Sequence, residues 1–121
     1  MIDHVGLSCT DLAASAQFYD DVLAVLGFTR QLDVGPAIGY GADREAPFWI
    51  SQWPGDGPPR EVHVAFAATS RAQVEDFHAT AVASGATSLH APREWPEYHP
   101  GYYGAFVRDP DGNNVEAVWH G

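Results

Sequence analysis

Large apolar residues alternate with small or polar ones at the start of the chain. Val5, Leu7 and Cys9 fall on one side of an extended segment over 2–9, and His4, Gly6 and Ser8 on the other. The period then lengthens. Leu12, Ser15/Ala16, Phe18/Tyr19, Val22/Leu23 and Leu26 recur at helical spacing, with Thr10 or Asp11 to cap the helix and Gly27 to stop it. Three strands are predicted next, over 28–32, 38–41 and 48–53. Gly55, Gly57, Pro58 and Pro59 mark a linker over 54–60.

The same course is then run again. Val62, Val64 and Phe66 alternate with His63, Ala65 and Ala67 in a strand over 61–67. Ser70 and Gln73 have capping-box spacing, and Val74, Phe77, Ala81 and Val82 form the apolar stripe of a second helix ended by Gly85. Strands over 87–89, 102–108 and 115–119 follow, the last two joined by the tight turn Asp109-Pro110-Asp111-Gly112. An offset of 59 carries His4 onto His63, Thr10 onto Thr69 and Phe18 onto Phe77; an offset of 66 carries Ile50 onto Glu116 and Trp53 onto Trp119. The longer second offset reflects a loop over 92–101. The expected fold is α+β, with two paired βαβββ modules, 1–53 and 61–121, whose curved mixed sheets lie side by side around a cleft.

The strand faces suggest chemistry. In each module the bulky apolar residues share one face, while the histidine shares the other with Gly or Ala, and small neighbours leave room that a core face would fill. Glu116 stands between Val115 and Ala117 in the last strand. A carboxylate in such surroundings is costly to bury unless something compensates, and two imidazoles with a divalent cation would do so.

On these residues the chain resembles the vicinal oxygen chelate superfamily, which includes glyoxalase I, extradiol dioxygenases, fosfomycin-resistance enzymes and bleomycin-resistance proteins. The resemblance is carried by Ile2-Asp3-His4-Val5-Gly6-Leu7, by Val62-His63-Val64-Ala65-Phe66, and most specifically by the run from Phe106 through Asp109-Pro110-Asp111-Gly112-Asn113 to Glu116. It implies that one divalent metal (Fe, Mn, Zn or Ni) is held by His4, His63 and Glu116. It also implies a homodimer, with sites sometimes shared between chains. Glyoxalase I-like members carry a further acidic ligand where this chain has Ile50, and Glu45 lies just outside that strand. Two histidines and one carboxylate suit non-haem Fe(II), Mn²⁺ or catalytic Zn²⁺ alike.

Aromatic and imidazole groups in the loop 91–101 read as a pocket lid or as a rigid surface connection closed by prolines. His99 and Tyr103 are the candidate catalytic residues. The histidine is taken as acid or base, and a tyrosine hydroxyl as donor to a metal-bound oxygen; of Tyr102 and Tyr103, alternation lets only one face the cleft. Trp49, Ile50, Trp95, Tyr98 and Tyr102 are the candidate pocket lining.

The charge narrows the partners. Six Lys+Arg against 16 Asp+Glu leave the chain at −10, which disfavours nucleic acid and anionic membrane surfaces. Cys9 is the only cysteine, so no internal disulfide forms, and no apolar run has membrane-spanning length. A cytoplasmic protein acting on a small molecule is expected. The reading is a metal-dependent enzyme, dioxygenase-like, lyase or thiol transferase, that takes a small, partly apolar substrate through two oxygens. Its alternative is a metal-free ligand-binding protein of the bleomycin-resistance type.

Overall fold

The computed structural model describes residues 1–57 and 59–121; Pro58, in the expected linker, lies outside them. The first half runs β1 (Val5–Cys9), α1 (Leu12–Val25), β2 (Thr29–Asp33), β3 (Ala37–Ala42) and β4 (Glu45–Gln52). The second runs β5 (His63–Ala67), α2 (Arg71–Ala83), β6 (Ser88–Glu94), β7 (Tyr103–Arg108) and β8 (Asn114–Trp119). Each half is therefore βαβββ. The sheets have the orders β1-β4-β3-β2 and β5-β8-β7-β6. In both, the strand before the helix runs parallel to the last strand, and the other neighbours are antiparallel.

The helices begin where side chains satisfy free backbone donors. Asp11 accepts from the Ala14 amide at 3.1 Å, and Gly27 leaves α1 at φ 88°, where a Cβ would be strained. Ser70 accepts from the Gln73 amide at 3.1 Å, while Gln73 Oε1 accepts from the amide of Thr69, one residue before the cap, at 2.8 Å. The strand before the expected loop is longer than its sequence pattern suggests. β6 runs on through Pro92 to Glu94, because β6 is an edge strand with an irregular register between His90 and Arg93, where a missing N–H breaks no necessary bond.

Both sheets turn their bulky face to one common core. Tyr19, Leu23, Ile50, Phe77 and Val115 are fully buried in it, each contributing about 1.5–3 kcal/mol as a fully buried large side chain. Phe48 of the first sheet meets Phe66 of β5 edge to face at 4.9 Å, so the core is continuous between halves.

The turn between β7 and β8 clasps the halves together. Buried Asp109 accepts from Tyr19 Oη of α1 at 2.8 Å, from Asn113 Nδ2 at 2.8 Å, and from the amides of Asp111 and Asn113. Asp111 accepts from the Thr10 amide at 3.0 Å and its hydroxyl at 2.6 Å. Helix packs on helix between the halves, and among the described residues no ladder joins one sheet to the other. The faces bearing His4 and His63 both point away from the shared core. β1 and β5 are edge strands, each hydrogen-bonded on one side only among the described residues.

Candidate functional site

The outward face of the second sheet is built in rows. His63 stands opposite Asn114, and Asn114 opposite Arg108; Ala65 stands opposite Glu116, and Glu116 opposite Phe106. The methyl of Ala65 leaves space beside the carboxylate. Gly104 does the same: a Cβ there would lie 3.0 Å from Glu116 Oε2 and 3.2 Å from the Tyr102 ring.

Glu116 is 2% exposed, and His63 Nε2 lies 3.2 Å from its Oε1. His63 Nδ1 lies 3.1 Å from the Asn114 carbonyl oxygen. That oxygen only accepts, so it places the ring proton on Nδ1 and leaves Nε2 facing a second acceptor. A proton or a cation between Nε2 and Oε1 is what makes this arrangement favourable. A carbonyl holding the far nitrogen is also the usual support of a metal-ligating histidine. The pair therefore fits a divalent cation. Asn114 Oδ1, on the same face, is a buried acceptor without a hydrogen-bond partner among the described residues.

Burial pushes the Glu116 carboxyl above its ordinary range, against the opposing pull of the Tyr102 hydroxyl and of His63. Tyr102 donates its hydroxyl to Glu116 Oε2. Burial, and then that carboxylate, push the phenol of Tyr102 well up. Around the pair stands an aromatic wall. His63 stacks on Phe106 at 6.0 Å, Trp95 meets Phe106 at 5.2 Å, and Tyr98 stacks on Trp95 at 5.7 Å. Trp95 Nε1 donates to the Gly104 carbonyl at 3.0 Å, which ties this ring to the strand.

The predicted site residues divide. His63, Glu116, Trp95, Tyr98 and Tyr102 come together on this face. His99 lies at its rim, with Nδ1 2.8 Å from the Pro100 carbonyl oxygen and Nε2 2.8 Å from His120 Nδ1; its ring touches Tyr102 and does not reach Glu116. Tyr103 is turned the other way. Its hydroxyl donates to Glu75 of α2 at 3.1 Å under the Arg71 guanidinium, so the hydroxyl at the carboxylate is that of Tyr102. Ile50 is fully buried on the helix side and lines no open pocket. Trp49 lies on the first sheet's outward face, across Gly39, with Nε1 donating to the Ala46 carbonyl at 2.8 Å.

His4 lies just before β1 of that sheet, exposed and with Nδ1 2.6 Å from Asp3 Oδ1. Among the described residues, no three His, Cys, Asp or Glu side chains come close enough to hold a metal together. The sequence leaves open whether one chain or two complete the set; in this chain His4 does not join His63 and Glu116, because the helix-to-helix packing sends the two histidine faces apart. His90 was missed by the sequence reading, while Asn114 shares the face of Glu116 as strand alternation places it and His120 is exposed, as its position just past the last strand suggests. His90 packs edge-on against Trp95 and Phe106, and hairpin pairing of β6 with β7 was the signal that could have found it. Among the described residues no helix is long and apolar enough to cross a membrane.

A family model described as the glyoxalase/bleomycin resistance protein/dioxygenase superfamily matches residues 1–117. The uncharacterized protein PA2024 of Pseudomonas aeruginosa is 36% identical, over 95% of this chain and 85% of that protein. The crystal structure of a glyoxalase/bleomycin resistance protein from Albidiferax ferrireducens superposes with a TM-score of 0.82 at 31% identity, covering 96% of each chain. That of lactoylglutathione lyase from Agrobacterium tumefaciens gives 0.70 at 26% identity, covering 98% of this chain and 92% of that one.

Proposed function

The chain belongs to the glyoxalase/bleomycin resistance protein/dioxygenase superfamily, and from that premise we propose that it is a divalent-metal-dependent enzyme whose site is completed by a second copy of itself. The observation that carries the reading is the His63–Glu116 pair. One imidazole nitrogen is held by a backbone carbonyl, and the other faces a nearly inaccessible carboxylate oxygen at 3.2 Å. His63 and Glu116 of one chain and His4 of the second copy would hold the cation. When bound, it supplies Lewis acidity toward a substrate offering two oxygens.

The second copy is argued from the edges. Among the described residues β1 and β5 each leave one backbone edge unpaired, and the apolar side chains of Val5, and of Ile2 and Val62 just before those strands, are exposed. Setting β1 of one copy against β5 of another covers these groups and brings a His4 to the His63 face. The chain's own residues then do the rest. Phe106, Trp95 and Tyr98 form one apolar wall, which favours a small, partly apolar substrate and keeps water from it. Trp49 from the first sheet of the second copy would face that wall.

The test is metal analysis of purified protein beside His63→Ala. Stoichiometric metal that is lost in the variant supports the reading, as does turnover of catechols or thiol adducts that a chelator abolishes. Protein that takes up no Fe²⁺, Mn²⁺, Zn²⁺ or Ni²⁺ is instead a metal-free binder.

A further inference from the structure

We propose that Tyr102 is a positioning residue of this centre: its hydroxyl occupies Oε2 of Glu116 and so limits the carboxylate to holding a cation through Oε1 alone. The proposal rests on the metal reading above.

The two carboxylate oxygens are not equivalent. Oε1 faces His63 Nε2, whereas Oε2 is turned toward the Tyr102 hydroxyl. With the side chain 2% exposed, solvent is a poor substitute for that donor. Tyr102 is itself held firmly. Its ring stands edge-on to His120 at 5.2 Å and 89° and to His99 at 5.3 Å and 74°, with Tyr98 at 5.0 Å on a third side. His99 and His120 are joined to each other at 2.8 Å, and Gly101, at φ 88°, brings the backbone within a Cβ's reach of the His120 carbonyl. The Tyr102 carbonyl accepts from the Trp95 amide at 2.8 Å. Ring and backbone together aim the hydroxyl at one oxygen.

This arrangement has a coordination consequence. A carboxylate bound through both oxygens takes two positions around a cation; one with an oxygen engaged by a phenol takes one. The position released is available to the substrate's second oxygen. Outer hydrogen bonds of this kind also fix the ligand's orientation, and their loss typically costs 10–100-fold in metal affinity.

The experiment titrates the full-length protein with Co²⁺, reading affinity by calorimetry and coordination by the visible Co²⁺ bands. Tyr102→Phe keeps the ring and removes the hydroxyl. It should weaken Co²⁺ binding about 10–100-fold at unchanged stoichiometry and lower the visible absorption as the carboxylate turns both oxygens to the ion. Gly104→Ala, which presses a methyl onto the same pair, should shift both readouts in the same direction. Tyr103→Phe, one residue along but on the opposite face, should change neither. Affinity and spectrum of Tyr102→Phe equal to wild type would overturn the proposal while leaving the metal reading standing. Wild-type protein that binds no Co²⁺ would remove both.

Discussion

The hydroxyl of Tyr19 in α1 donates to Oδ2 of Asp109 at 2.8 Å, across the boundary between the two halves. Both groups are buried, and the carboxylate receives three further donors from its own turn. Tyr19→Phe should therefore destabilise the protein by about 1–3 kcal/mol, the usual cost of leaving one buried partner unsatisfied. Asp109→Ala, which strands several donors at once, should cost more. Urea unfolding followed by fluorescence measures both; a Tyr19→Phe midpoint equal to wild type would show that the clasp holds nothing.

The same pair predicts an alkaline limit. Burial first, and then Asp109, raise the Tyr19 phenol well above its ordinary value; burial and Asp20 raise Tyr40 likewise. A group whose folded pKa exceeds its unfolded one contributes stability that is complete below the unfolded value, near 10 for tyrosine, and is lost as pH rises beyond it. Melting temperature should fall above about pH 10, and Tyr19→Phe should flatten that fall. A wild-type profile that stays level through this range contradicts the assignment.

Glu116 should show the opposite of a stabilising role in metal-free protein. Its carboxyl is raised by burial, so the folded state disfavours the charged form, and its contribution is lost as pH rises through the folded value. Glu116→Gln removes that charge while keeping the shape. At neutral pH the metal-free variant should melt higher than wild type and bind no metal. A lower melting temperature would mean that the charged carboxylate is well compensated without a cation.

How far the sequence carried the reading follows from the range of each interaction. The His63 and Glu116 faces were legible because alternation along a strand is local: small Ala65 shares the face of His63, and Glu116 interrupts the apolar run between Val115 and Ala117. The choice between Tyr102 and Tyr103 was not, since it depends on the hairpin register that sets Phe106 opposite Glu116 and Gly104 opposite Val118. Carried two residues further, that register puts Tyr102 on the carboxylate's face. Pro92 read as loop because its place on an edge strand is a property of the sheet. What the strand pattern left open, whether one chain or two complete the site, is set by the packing of the halves. That packing is decided by contacts such as Thr10–Asp111 and Tyr19–Asp109, which strand periodicity does not encode.

The edge strands supply a prediction of assembly. Val5→Asp or Val62→Asp places a charge where apolar side chains stand exposed beside unpaired backbone. Either change should convert a dimer to monomer in sedimentation and abolish metal binding with it. Wild type sedimenting as a monomer while still holding metal would contradict the shared site.

Complementation tests the proposed sharing of a metal centre most directly. Purified His4→Ala and His63→Ala proteins are each unfolded, mixed and refolded together, and bound metal is measured. Each variant alone should bind none. Half of the refolded pairs should be mixed and carry one complete site, so metal should return to about one quarter of the wild-type amount. Metal retained by His4→Ala alone, or none recovered in the mixture while wild type refolds to full loading, would contradict a cation held by His63 and Glu116 of one chain and His4 of another.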